Sequence, residues 1–148
     1  MAWLVKDKIK ENYLACCKEA VLSDTAFNRF KKDKRYTPIT EHLDRDIGQA
    51  YLDKIIEKNE YIFNVKKKRF LRNDLYGQPK RYDYGKYGIW SPTTLRYIYV
   101  AFELKKYFNG LDCMDIVEIG GGYGGQCKII NDMRGFKSYK IIDLKEPC

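Results

Sequence analysis

The chain has 148 residues, of which 45% are hydrophobic and 32% are charged, and its formal net charge is +8. This length suits one domain with a substantial apolar core, but hardly two. No stretch approaches the roughly 20 consecutive apolar residues of a membrane-spanning helix, and charged residues interrupt any secretory signal pattern, so we expect a cytoplasmic protein.

Five cysteines and one histidine are spread along the chain without a C-x-x-C pair. This odd number and spacing indicate neither a disulfide framework nor a zinc site, so we expect reduced cysteines and no metal. The positive charge would suit an anionic partner such as nucleic acid or a nucleotide-linked sugar. The densest basic runs, 29–35 and 66–69, lie at predicted helix ends, where cations stay solvated, so nucleic acid is not the expected partner.

The N-terminal sequence predicts two consecutive helices. Residues 3–22 carry apolar side chains at a loose helical spacing. Ser23 or Asp24 then provides a cap for a short second helix that is predicted to run through Phe30.

The next segment, 31–38, is charged and predicts a connection, because Pro38 disfavours a helical conformation for the residue before it. A third helix is predicted over 43–57, where apolar residues return to helical spacing. His42 stands at its start, and we interpret it as a capping or surface residue rather than a catalytic base.

Helical periodicity fades between residues 61 and 90, where turn-forming Gly, Asn, Asp and Pro residues accumulate. This region also contains a series of large aromatic residues: Tyr76, Tyr82, Tyr84, Tyr87 and Trp90. Two interpretations are open for the predicted loop. Its rings either form a lid over a substrate cleft, where they would stack on a sugar or adenine, or they pack the loop onto the helices.

A well-capped helix follows, with Ser91 as N-cap, proline in the first turn and a stop at Asn109-Gly110, which predicts a helix up to Phe108. Its N-terminus combines free backbone N–H groups with Thr94 and Arg96, which suits an anionic group such as a carboxylate. The alternative is an ordinary packing helix.

The strongest pattern in the chain is the stretch 116–126, in which an apolar run and a carboxylate precede five glycines. The apolar run predicts a strand buried on both faces, as in a parallel sheet. Glycine permits positive φ and close approach to the backbone, so the glycines predict a tight loop free of side-chain obstruction. A helix over 125–134 and a strand over 139–144, with Asp143 near its end, complete a β–α–β unit.

Two kinds of nucleotide cofactor fit this unit. Gly120, Gly122 and Gly125 satisfy G-x-G-x-x-G, and Asp143 follows at the distance at which a dinucleotide-binding domain places its ribose-binding acid. A glycine-rich turn can also be a plain tight connection.

The same loop satisfies a second spacing. Glu118, Gly120, Gly122 and Gly124 form E-x-G-x-G-x-G, which resembles motif I of class I S-adenosylmethionine-dependent methyltransferases. In that family an acid ends the first strand, and the acid that ends the second strand, here Asp143, binds the adenosine ribose. The long segment ahead of the first strand also favours this interpretation.

Four stretches, 73–79, 88–97, 116–127 and 139–144, together resemble the sugar O-methyltransferase family. The resemblance covers the second half of the chain, and the first 60 residues add little to it. It implies transfer of a methyl group from S-adenosylmethionine to a hydroxyl of a sugar or glycan acceptor, during assembly of a surface polysaccharide or glycoconjugate.

The resemblance also implies a set of cofactor-binding residues. Asp143 is expected to hold the ribose, Glu118 and the glycine loop to position the methionine part, and Arg96 or Thr94 to receive its carboxylate or to touch the sugar. The full expected set is Glu118, Gly120, Gly121, Gly122, Tyr123, Gly124, Gln126, Asp143, Thr94 and Arg96. No catalytic base is identified.

The expected fold is therefore α/β: a helical region over 1–72, an aromatic loop over 73–91, and a capped helix with an incomplete Rossmann-like unit over 92–148. Such a methyltransferase sheet has about seven strands, whereas this sequence supplies two. We therefore expect the N-terminal part of a longer protein, whose remaining strands and general base follow Cys148, and little activity from these residues alone. The open alternatives are an NAD-dependent oxidoreductase or epimerase-type protein, and a non-catalytic partner-binding fragment.

Overall fold

A computed structural model describes residues 2–145, with side chains from residue 8 onward. Met1 and residues 146–148 lie outside the described residues, and so does the expectation that concerns Cys148. The protein is mixed α/β and mostly helical, with two small two-stranded sheets in the described part. None of the helices in that part combines the length and apolar character needed to cross a bilayer.

The first two helices begin as predicted. Helix α1 spans Ala2–Leu22, and α2 spans Asp24–Phe27, with the Ser23 hydroxyl accepting a hydrogen bond from the Ala26 N–H at 3.4 Å. The predicted extension of α2 to Phe30 is wrong. The chain leaves the helix after Phe27 because Phe30 turns inward, where only 5% of its surface is exposed, and begins a 3₁₀ turn.

The segment predicted as a connection ends in a short helix, α3, which spans Thr37–Thr40. Pro38 is accommodated because a proline in the first helical turn loses an N–H that would have no helical partner. Helix α4 spans Arg45–Asn59, two residues later than predicted, because the Asp44 carboxylate caps it by accepting from the Ile47 N–H at 2.9 Å.

Helix α5 spans Ile62–Leu71, within the helical region predicted over 1–72 but where no individual helix was predicted. Two 3₁₀ turns follow, over Arg72–Leu75 and Gly85–Tyr87, and the second joins a minimal hairpin. The hairpin pairs β1, Tyr82–Asp83, antiparallel to β2, Ile89–Trp90. The predicted long loop is therefore shorter and more regular than expected.

Aromatic residues of this segment pack inward. Trp90 is fully buried, donates its indole N–H to the Tyr87 carbonyl oxygen at 2.9 Å, and meets the Phe63 ring edge-on at 5.6 Å between centroids. Tyr84 is buried as well, whereas Tyr76 is 46% exposed. The structure thus shows the packing arrangement for Trp90 and Tyr84.

Helix α6 spans Pro92–Tyr107 and begins as predicted, with the Ser91 hydroxyl accepting from the Thr94 N–H at 3.1 Å. It packs between α4 and the helix that follows the glycine loop. Its buried face joins a single apolar core with residues from both halves of the chain: Leu52, Ile55, Phe70, Trp90, Leu95, Ile98, Ala101, Ile129 and Ile130.

The predicted β–α–β unit is present. Strand β3, Asp115–Ile119, runs parallel to β4, Ser138–Ile142, and helix α7, Gly125–Met133, connects them. The prediction that the first strand is buried on both faces is wrong, because Val117 and Ile119 are 57% and 83% exposed. Within the described residues, helices cover one face of this sheet only, so alternate side chains of β3 point outward.

Candidate functional site

A cavity of about 410 Å³ lies at the carboxyl ends of β3 and β4, a size within the range of roughly 300–1,000 Å³ that small-molecule sites occupy. We call it the glycine-loop cavity. It brings together eight of the ten residues expected to contact a cofactor: Arg96, Glu118, Gly120, Gly121, Gly122, Tyr123, Gln126 and Asp143. The carboxyl ends of parallel strands are a common place for ligand binding in open α/β sheets.

The loop between β3 and α7 needs glycine for its backbone shape. Gly120 and Gly122 have φ values of +77° and +53°, a region that other residues rarely adopt. The Gly120 N–H donates to the Ile142 carbonyl at 2.8 Å, and the Gly122 N–H donates to the Asp143 carboxylate at 2.6 Å. The loop is therefore tied to the end of β4 at two points.

Gly121 is required for space rather than for backbone angle. A Cβ atom at this position would lie 2.8 Å from Ile141 Cγ2 and 2.9 Å from Glu118 Oε2. The Glu118 carboxylate thus lies against the loop backbone, where it accepts a hydrogen bond from the Tyr139 hydroxyl at 2.9 Å. Burial raises the pKa of Glu118, and the Tyr139 hydrogen bond opposes that rise.

Asp143 lines the same cavity as Glu118. Its two carboxylate oxygens accept from the backbone N–H groups of Gly122 and Leu144, at 2.6 and 2.7 Å. A carboxylate can accept about four hydrogen bonds, so Asp143 retains the capacity to accept from a ligand hydroxyl.

Arg96 is the cation of the cavity wall. Its guanidinium lies 5.3 Å from the centroid of the Tyr97 ring, and no carboxylate in the described part of the chain lies within ion-pair distance of it. Gln126 also lies in the wall and donates its amide to the Tyr97 carbonyl at 3.0 Å. Arg96 is thus the charged donor through which this wall can receive an anionic group.

The structure does not bring Thr94 to the cavity. Thr94 is fully buried, donates its hydroxyl to Asp74 at 2.6 Å and accepts from the Asn73 amide at 2.7 Å. Asp74 also accepts from the Ser91 N–H at 2.9 Å. The anion that the N-terminus of α6 was predicted to attract is therefore a carboxylate of the protein itself.

Gly124 likewise lies outside the glycine-loop cavity. It precedes α7 with a φ of +80° and lines a neighbouring hollow of about 220 Å³ with Phe27, Tyr76 and Lys128. The ring of Tyr123 separates the two spaces, since it lines both.

Five lining residues were not predicted: Tyr13, Tyr36, Ile39, Thr40 and Tyr97. The rings of Tyr13 and Tyr36 stack at 5.3 Å between centroids, and both are almost completely buried. Four of the five come from α1, α3 and the residue before α3, so an N-terminal layer closes one side of the cavity. The sequence predicted the apolar face of α1. It did not predict that this face packs beside the glycine loop, which is more than 100 residues away in the chain.

The basic run 29–35 was predicted to be solvated, and for Lys31 this is wrong. Lys31 is 1% exposed, donates to the Asn73 carbonyl at 3.2 Å, and its ammonium lies 3.9 Å from the centroid of the Tyr123 ring. Burial lowers the pKa of Lys31 to about 8, while nearby Glu41 and Asp74 oppose this. Lys31 therefore joins the N-terminal layer to the glycine loop.

Glu41 is a largely buried carboxylate that interacts electrostatically with Lys31. It accepts from the Thr93 hydroxyl at 3.1 Å, and its other oxygen is buried without a hydrogen-bond partner among the described residues. Burial raises the pKa of Glu41 to about 7, against the attraction of Lys31.

Glu41→Gln is expected to flatten the dependence of stability on pH between 4.5 and about 7. Below this range the carboxyl is protonated in both the folded and the unfolded state. As the pH rises through it, the unfolded carboxyl ionises first, so the free energy of unfolding of the wild type falls by about 2–3 kcal/mol. Urea denaturation at half-unit pH steps measures this slope.

The matched control is Glu57→Gln, which neutralises an exposed carboxylate on α4 and should leave the slope of the wild type unchanged. The shift of Lys31 acts between about 8 and 10.5, above this window. Parallel stability curves for the wild type and Glu41→Gln would contradict the placement of Glu41 in a buried environment.

Comparison with protein-family models, with curated proteins and with solved structures gave no match to this chain. The assignment of function therefore depends on the geometry of the cavity and on the sequence motifs.

Proposed function

We propose that this protein is an S-adenosylmethionine-dependent O-methyltransferase that acts on a sugar hydroxyl, and that β3, α7 and β4 are the first unit of a Rossmann-like methyltransferase fold. One observation carries the proposal. Glu118 and Asp143, the acids at the ends of the two parallel strands, line one cavity whose floor is the bare backbone of Gly120, Gly121 and Gly122.

The chemistry of the cavity wall fits an amino-acid nucleoside. Arg96 suits the carboxylate of the methionine part, Glu118 suits its ammonium, and Asp143 suits the hydroxyls of the ribose. The three charged groups lie in the wall of a single cavity, so one zwitterionic ligand can satisfy all of them. Bound S-adenosylmethionine supplies an electrophilic methyl group, and no metal is required for that chemistry.

The surroundings of α7 favour this cofactor over a dinucleotide. A dinucleotide places its pyrophosphate on the free N–H groups of the loop and of the helix N-terminus. Here the Gly122 N–H already donates to Asp143, and the Gly124 N–H donates to the Gly121 carbonyl. The Glu118 carboxylate against the loop would also repel a phosphate.

In this reaction the contribution of the protein is chiefly positional. Arg96, Glu118 and Asp143 would fix the cofactor at its charged and hydroxyl groups, and the N-terminal layer with Tyr13 and Tyr36 would exclude water from one side. Holding an acceptor oxygen in line with the methyl group would then lower the barrier by fixing the geometry of attack. The C–O bond would form as the C–S bond of the cofactor breaks, and the hydroxyl proton would pass to a general base, for which no residue is assigned. A sugar acceptor is supported by the joint resemblance of stretches 73–79, 88–97, 116–127 and 139–144 to the sugar O-methyltransferase family.

Isothermal titration calorimetry with S-adenosylmethionine and, separately, with NAD tests the proposal. We expect S-adenosylmethionine to bind and NAD to bind more weakly or not at all. Arg96→Met should weaken S-adenosylmethionine binding about 10- to 100-fold, because it removes a charge-assisted hydrogen bond worth about 1.5–3 kcal/mol.

Arg81→Met is the control, since Arg81 is an exposed arginine that does not line the glycine-loop cavity. It should leave the affinity unchanged. Tighter binding of NAD than of S-adenosylmethionine would favour the oxidoreductase alternative and overturn the proposal, as would equal effects of the two arginine substitutions.

A further inference from the structure

A continuous chain of buried and partly buried hydrogen bonds connects the start of α6 to the glycine loop. The Asp74 carboxylate accepts from the Thr94 hydroxyl at 2.6 Å. The Asn73 amide donates to the Thr94 hydroxyl at 2.7 Å and to the Tyr123 hydroxyl at 3.1 Å. Asn73, Asp74 and Thr94 are each at most 4% exposed, so water does not compete for the two bonds that join them.

The ring of Tyr123 is also fixed by contacts, in addition to the hydrogen bond of its hydroxyl. The Lys31 ammonium lies 3.9 Å from the centroid of the ring, and the Phe30 ring meets it edge-on at 5.8 Å. On the other side, Gly125 leaves room for the Tyr123 hydroxyl, which a Cβ at that position would approach to 2.5 Å. Tyr123, the side chain of the glycine loop, is therefore held by two other segments of the chain, 30–31 and Asn73.

We propose that Asn73 and Thr94 are positioning residues that set the conformation of the glycine loop through Tyr123. Neither residue lines the glycine-loop cavity. The inference that they position the loop depends only on the hydrogen bonds. The inference that they affect ligand affinity depends also on the proposed function. A loop held in one conformation before the ligand arrives binds more tightly, because less conformational entropy is lost on binding.

This role explains two sequence motifs whose residues at 73–74 and 91–94 do not line the glycine-loop cavity. The Asn-Asp pair at 73–74 supplies the amide and the carboxylate, and the Ser-Pro-Thr-Thr start of α6 supplies the hydroxyl between them. Thr94 was predicted to touch the cofactor. It lies instead two hydrogen bonds away from the loop, where it orients the Asn73 amide.

The test compares Thr94→Val, which keeps the shape of the side chain but removes its hydroxyl, with Thr94→Ser, which keeps the hydroxyl. Hydrogen exchange is measured without ligand at the Gly122 and Gly124 amides, which are bonded to Asp143 and to the Gly121 carbonyl. We expect Thr94→Val to accelerate exchange at these amides about 10-fold more than at the amides of α4, and Thr94→Ser to match the wild type.

Tyr123→Phe removes the hydroxyl at the other end of the chain of bonds while keeping the ring, and it decides the question if Thr94→Val does not fold. It should accelerate the same loop amides. Tyr84→Phe is the matched control, because it removes one buried hydroxyl that bonds to the Arg45 carbonyl at 3.3 Å, remote from the loop. It should leave loop exchange unchanged.

S-adenosylmethionine affinity separates this proposal from the proposed function. Accelerated loop exchange with a roughly 10-fold weaker affinity in Thr94→Val and Tyr123→Phe supports both. Accelerated exchange in a protein whose wild type binds no S-adenosylmethionine supports loop positioning and overturns the proposed function. Uniform acceleration across the whole protein in both variants, with α4 affected as much as the loop, overturns the positioning role.

Discussion

Gly121→Ala is expected to weaken S-adenosylmethionine binding by about 100-fold, equivalent to about 2.7 kcal/mol. The added Cβ would lie 2.9 Å from Glu118 Oε2 and 2.8 Å from Ile141 Cγ2. The Glu118 carboxylate and the loop backbone cannot both keep their positions at that distance, and relieving such overpacking typically costs about 1–3 kcal/mol. Calorimetric titration of the variant measures the loss.

Gly85→Ala is the control for this substitution. Gly85 has a positive φ, +62°, which Gly121 does not, but no atom lies within 4 Å of where its Cβ would be, and it does not line the cavity. Its alanine variant should lose some stability through backbone strain and keep the affinity of the wild type. If Gly121→Ala binds as well as Gly85→Ala, then the Glu118 carboxylate does not take part in the binding site.

Trp90→Ala is expected to destabilise the protein by about 3–5 kcal/mol, the usual cost of truncating a fully buried large aromatic residue. Trp90 is 0% exposed and contacts Phe63 in the centre of the apolar core. The substitution also leaves the Tyr87 carbonyl without its indole donor. Chemical denaturation followed by circular dichroism measures the change in the free energy of unfolding.

Ile89→Ala provides the neighbouring control, since Ile89 is 55% exposed in the same short strand. It should change the free energy of unfolding by less than about 1 kcal/mol. Equal, small effects of both substitutions would show that the segment around 82–90 is not packed onto the helices in solution, and would favour the interpretation of this segment as a lid.

Thr94 and Arg96 illustrate how far the sequence could predict the site. Both were placed at the start of one helix, correctly, because the Ser91 cap and the proline after it define where α6 begins. Residues two apart on a helix differ in direction by about 200°, so they face opposite sides. Which of them meets the cavity depends on what packs against each side, and that is decided by Asn73 and Asp74.

Lys31 and α5 are two features of the fold that could not be predicted from the sequence, because they too depend on contacts between distant segments. Lysine is expected at the surface, and only the partners that reach Lys31 across the fold, the Asn73 carbonyl and the Tyr123 ring, allow its burial. Helix α5 buries Ile62, Phe63 and Phe70 but exposes Val65, so its apolar residues did not give a clear helical period.

The amino-acid sequence by itself determined the features that arise from neighbouring residues. These are the caps of α2 and α6 and the strand, glycine loop, helix and strand order over 115–142. Capping bonds, positive φ and apolar periodicity act within a few residues, so they are readable in order along the chain. The resemblance already placed Glu118, Asp143 and Arg96 at one ligand. Only the tertiary structure decided that Thr94 is kept out of their cavity and that an N-terminal layer closes it, because those contacts join residues far apart in the chain.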